Sequence, residues 1–187
     1  MTRVEATTWI ALFRGINVGG NNLMPMKSLA ALLEKSGGKA VKTYIQSGNA
    51  VFRHAESDEA KLSAKIGKAV EQEFGFAPRL LLLTQRELMA ASKANPYRQA
   101  DAAPKSLHLA FLAELPKAPG LDALKAIKAD TEEFMLKGRV FYLYTPAGFG
   151  ISKLAERYEK LLGVTATARN WNTVNKLLEM AVQAGRD

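Results

Sequence analysis

The sequence predicts an α+β protein built from two tandem βαββαβ units and a C-terminal helix. Three observations carry this. Short runs rich in β-branched and aromatic residues alternate with stretches whose apolar residues recur every three to four positions. The order strand, helix, strand, strand, helix, strand occurs over residues 1–84 and, after a connector at 85–105, again over 106–187. In each half the two middle strands are separated only by a short glycine-containing turn. That order is the split unit of a ferredoxin-like sandwich, so each half is expected to be ferredoxin-like.

Thr7 to Phe13 reads as the first strand, followed by a loop with three glycines and three asparagines. A helix is expected from about Pro25, where Met26, Leu29, Ala30, Leu32 and Leu33 share one face and Gly37-Gly38 ends it. Val41 to Gln46 and Asn49 to Arg53 form a hairpin turning at Ser47-Gly48. Asp58 caps a second helix whose Leu62, Ile66, Val70 and Phe74 recur every four residues, with Gly75 and Pro78 stopping it. Arg79 to Thr84 is a fourth strand, and the connector carries a short helix from Glu87 to Lys93. The pattern then restarts. Ser106 to Leu112 is a strand, Gly120 to Lys128 a helix, and Thr131 to Leu136 with Arg139 to Tyr144 a hairpin. Ser152 to Leu162 is a helix, Val164 to Ala168 the last strand, and a final helix turns Val174, Leu177, Leu178, Ala181 and Val182 inward.

Composition narrows the function. The 187 residues hold no cysteine, which excludes disulfides and thiolate metal sites, and two histidines are too few for a zinc motif. No metal and no cofactor is expected. The first apolar run, Trp9 to Phe13, is too short for a signal peptide, and no run approaches a membrane span, so the expectation is a soluble cytoplasmic protein. The net charge of +8 suits an anionic partner, yet the lysines lie among acidic residues on expected helices, which is equally the pattern of a solvated surface.

The candidate site residues fall in three stretches. In Arg14-Gly15-Ile16-Asn17-Val18-Gly19-Gly20-Asn21-Asn22 the glycines and asparagines accept φ > 0 at low cost. The loop is therefore either a turn capped by asparagine side chains or a backbone cradle for an anion, with Arg14 supplying charge. Its G-x-x-x-x-G spacing is that of a phosphate loop, but Asn21 and Asn22 stand where that motif needs Lys and Ser/Thr. The second stretch is Gln46-Ser47-Gly48-Asn49. The first and second strands of a βαββαβ sheet run parallel, so this hairpin should lie beside the loop. No base is near Ser47, and His54 and His108 read as a surface and a strand residue without special role. The third stretch, Arg169-Asn170-Trp171-Asn172, opens the last helix. Asn170 or Asn172 either caps that helix, or Arg169 joins Lys153 in a cationic site beside loop 145–150.

Phe13-Arg14-Gly15-Ile16-Asn17-Val18-Gly19-Gly20, Thr43-Tyr44-Ile45-Gln46-Ser47-Gly48-Asn49 and Thr167-Ala168-Arg169-Asn170-Trp171-Asn172-Thr173-Val174 resemble the signatures of a bacterial family catalogued as a domain of unknown function. Pro104 to His108 and Gly150 to Leu154 resemble its pattern too, and the likeness runs from about residue 8 to 178. The resemblance implies an α+β fold and no particular activity. Where members carry lysine near position 21 this chain has Asn21, which removes a lysine grip on phosphate.

Three function classes follow. The first is a domain binding a small polar or anionic ligand, with or without catalysis, through the Arg14–Asn22 loop and the Gln46–Asn49 hairpin. The second is a nucleic-acid binder, although the third strand, Asn49 to Arg53, offers only Phe52 for base stacking. The third is a protein-interaction module that pairs through a sheet edge.

Overall fold

Seven β-branched or apolar residues and Arg14 make the first strand, β1 (Thr7–Arg14), in a computed structural model that describes residues 6–186. Then follow α1 (Met26–Lys35), β2 (Lys39–Tyr44), β3 (Asn49–His54), α2 (Glu59–Phe74) and β4 (Arg79–Thr84). After α3 (Gln85–Lys93) and two short 3-10 turns, the order recurs as β5 (Leu107–Leu112), α4 (Leu121–Ile127), β6 (Glu133–Lys137), β7 (Val140–Tyr144), α5 (Lys153–Leu162) and β8 (Ala166–Asn170). The last helix is α6 (Trp171–Ala184). The result is a mixed α+β chain with two four-stranded antiparallel sheets, ordered β2-β3-β1-β4 and β6-β7-β5-β8. By compactness, the residues up to Ala90 group with those from Lys176 onward, and Ala91–Asn175 form the second unit.

Local chemistry sets most boundaries. Asp58 Oδ1 accepts from Lys61 N at 3.0 Å to start α2, and Gly75 at φ 76° stops it. Thr84 and Glu87 cap α3 reciprocally: Glu87 Oε2 accepts from Thr84 N at 2.7 Å while Thr84 Oγ1 accepts from Glu87 N at 3.2 Å. This capping box carries α3 back to Gln85, directly after β4.

Other strand features differ from expectation. The first hairpin turns over Ile45 to Gly48 rather than at Ser47-Gly48 alone, because Ile45 leaves the strand at φ 49°. β2 holds a bulge: Ala40 sits at φ 50° and the register shifts between Lys39 and Lys42. β8 begins at Ala166, two residues later than expected, because Gly163 at φ 72° first turns the chain out of α5. Arg169 is therefore inside the last strand, not beyond it.

Each unit has its own core. Leu29, Leu32 and Leu33 of α1 and Leu62, Ile66 and Val70 of α2 pack on Trp9, Ala11, Phe13, Ala50, Phe52 and Leu82. In the second unit Leu124, Leu154, Tyr158 and Leu162 cover Ala110, Leu112, Phe141, Leu143 and Ala166. Each large side chain buried this fully contributes about 1.5–3 kcal/mol. β1 is covered on both faces, since its Ile10 and Leu12, on the face away from α1 and α2, are also fully buried.

Candidate functional site

The register of the first sheet brings the first two stretches together. Leu12 pairs with Asn49, so loop 15–25 and the hairpin turn leave the sheet at the same end. Phe13 N donates to Gly48 O at 2.8 Å. The loop reverses repeatedly: Gly15, Asn17, Gly19, Gly20 and Asn22 all have positive φ. Asn17 clamps it. Its Nδ2 donates to Met24 O and to Gln46 O, both at 2.9 Å, and its Oδ1 accepts from Met24 N at 2.8 Å. Asn22 Nδ2 donates to Gly15 O at 2.9 Å, and Asn21 N donates to Val18 O at 3.0 Å. In the hairpin, the fully buried Asn49 donates from Nδ2 to Tyr44 O at 3.1 Å and Ser47 Oγ at 3.0 Å.

These bonds divide the candidates by role. Asn17 and Asn22 spend their amides on the backbone and Asn49 divides its amide between the backbone and Ser47 Oγ, which is turn chemistry. Gly19, Gly20, Asn21, Gln46 and Ser47 are left exposed on a framework those amides hold. The tip is also removed from any helix: α1 starts at Met26, with Pro25 as its cap, so its N-terminal N–H groups are not presented by Gly19-Gly20. The phosphate-loop likeness thus ends with the spacing.

Arg14 is the last residue of β1, and its Cα partner on β4 is Arg79. Strand alternation puts both side chains on the face away from α1 and α2, together with Asn49. Two like charges directly opposite on adjacent strands repel. Sequence reasoning passed over Arg79 because only the β1–β4 register brings it beside Arg14.

The third stretch does not behave as one cationic site. Arg169 pairs with Leu109 on the sheet face opposite α5, whereas Lys153 is the exposed first residue of α5. Arg169 donates to Ala168 O at 2.9 Å, and burial lowers its guanidinium to about 10. Asn170 Oδ1 accepts from Thr173 N at 2.9 Å and so caps α6. Trp171 is buried with Nε1 donating to Asp101 Oδ1 at 2.8 Å, while Asn172 stays exposed. This end of the second sheet is the start of β5, whereas the Gly/Asn loop leaves the end of β1. The two candidate regions therefore occupy opposite topological ends of their own sheets.

His108 lies in strand β5 as expected, whereas His54 differs from expectation. His54 is buried, not on the surface: its Nδ1 accepts from Glu56 N at 2.8 Å, which leaves Nε2–H to donate to Ser36 O at 3.1 Å. His108 packs against Phe149 with ring centroids 4.0 Å apart, and its buried Nδ1 has no hydrogen-bond partner. Burial pushes its ring down to about 4. Between pH 6.5 and 4 the unfolded chain therefore binds a proton that the folded chain does not. Stability should be complete above that window and fall by something on the order of 2–3 kcal/mol as pH drops through it. Urea unfolding across the window checks this, and His108→Phe should flatten the dependence.

The profile of a family described as "Protein of unknown function (DUF1697)" matches residues 6–142, a span that includes the Gly/Asn loop and the first hairpin but not Thr167 to Val174. Among solved structures, this chain is similar to that of the conserved bacterial protein SP0830 from Streptococcus pneumoniae. Their TM-score is 0.66 at 24% identity, covering 94% of this chain and 99% of that one. That likeness carries the fold alone. No curated protein matches. Among the described residues no helix is long and apolar enough to cross a membrane.

Proposed function

We propose that this chain, which belongs to the DUF1697 family of proteins of unknown function, binds a small anionic ligand at the loop end of its first sheet. The observation that carries the reading is the pairing of Arg14 with Arg79 across β1 and β4. Two guanidinium groups at paired strand positions offer two planar forks to one ligand, and each fork suits a carboxylate or phosphate. The exposed Ser47, beside Asn49 on the same side, and Gln46 add neutral polar contacts. The Asn17 clamp supports the reading further, because a site held in advance loses less entropy on binding. Each unit is read as ferredoxin-like, with the strand order β2-β3-β1-β4 and its counterpart β6-β7-β5-β8 in support.

Pyrophosphate and citrate test this, since each offers two anionic groups. A ligand at a hundred times its Kd adds about 2.7 kcal/mol of stability, which a thermal-shift assay resolves. Arg14→Lys keeps the charge but loses the fork, and should weaken binding by roughly tenfold, or about 1.4 kcal/mol, with the fold intact. Arg79→Gln should do at least as much. Should both variants show the wild-type shift, neither arginine recognises the ligand and the reading fails.

A further inference from the structure

We infer that the second unit holds a separate site for a phosphate group, in the pocket where Lys105 and Asn172 face Ser106 and Thr145. The pocket lies where β5 begins and β7 ends. Its volume of about 410 Å³ falls in the range of small-ligand sites. No carboxylate lines it.

A donor and acceptor account selects the ligand. The Ser106 hydroxyl donates to Ala103 O at 2.7 Å and the Thr145 hydroxyl points to Ser106 O at 3.4 Å, so both are committed inside the protein. The Lys105 ammonium and the Asn172 amide make no hydrogen bond or ion pair with any described residue. Two unused donors, one of them cationic, call for a ligand that accepts hydrogen bonds and carries negative charge. His108 lies two residues past the pocket residue Ser106, near the start of β5. Phe149, next to the pocket residue Gly148, covers its ring. A neutral ring in that position does not compete for the anion, and it reports on what fills the pocket.

The chain has only two histidines, so ring resonances in nuclear magnetic resonance spectra separate cleanly. Titration with inorganic phosphate at neutral pH should move His108 in a saturable way and leave His54 still. Lys105→Gln should weaken the apparent Kd by about tenfold, the loss expected for one charge-assisted hydrogen bond. Asn172→Ala should weaken it by a smaller factor, and Arg14→Lys should leave it unchanged. That last arm separates this site from the one on the first sheet. Glycerol phosphate in parallel distinguishes sources: tighter binding than inorganic phosphate assigns a phosphorylated metabolite, and equal binding assigns the free ion. The inference is overturned if His108 does not move, if its shift stays linear through tens of millimolar phosphate, or if Lys105→Gln binds like wild type.

Discussion

Replacing Gly48 by alanine should destabilise the protein by roughly 4 kcal/mol, a large share of the about 5–15 kcal/mol that holds a typical domain folded. Gly48 has φ 79°, which costs an alanine about 1–2 kcal/mol. The larger share is steric. A Cβ there would lie 2.5 Å from Ile16 Cδ1 and 2.7 Å from Phe13 Cβ. Ile16 can rotate, but Phe13 Cβ is fixed to β1, and forced overpacking adds about 1–3 kcal/mol. Gly19 is the control. It has φ 58° and open space around its Cβ position, so Gly19→Ala should cost only about 1 kcal/mol. Equal losses in chemical denaturation would show that crowding at Gly48 is not the cause.

Asn17→Ala should cost about 3 kcal/mol, from three side-chain hydrogen bonds at about 0.5–1.5 kcal/mol each and the strain of alanine at φ 54°. Two further variants divide that sum. Asn17→Gly removes the strain and should recover about 1 kcal/mol. Asn17→Asp keeps the acceptor for Met24 N but loses both donated bonds, so amide exchange at Met24 should stay slow in Asp and become fast in Ala. If Ala leaves that exchange unchanged, the clamp does not hold the loop.

The kind and order of the elements were legible because periodicity and punctuation are local. Asp58 and Gly75 bracket α2 by side-chain and backbone chemistry that needs no tertiary partner. The meeting of the Gly/Asn loop with the hairpin was legible too, because chain direction in a βαββαβ sheet decides it. What escaped depends on distant partners or on residues acting against type. Nothing near Arg79 in sequence announces Arg14, and nothing near Trp171 announces Asp101. Ile45 reads as a strand residue because β-branched side chains disfavour the left-handed region, yet it occupies that region at the hairpin tip. Val164 likewise suggested an early strand, while Gly163 had still to turn the chain. Among the site candidates, residue type pointed to the positive-φ turns of the loop but could not separate the asparagines that hold its backbone from residues exposed at its surface.

The bulge at Ala40 bears on how this protein behaves in crowded solution. β2 is an edge of the first sheet, and an edge strand offers unpaired backbone groups to any other chain. At Ala40 the strand is kinked, and the exposed ammonium-bearing side chains of Lys39 and Lys42 flank the kink. A straight foreign strand cannot keep register past that point without bringing its own backbone against two charges. The irregularity thus works as a guard against sheet-to-sheet aggregation, and it argues against β2 as a surface through which this chain recruits a partner by strand addition.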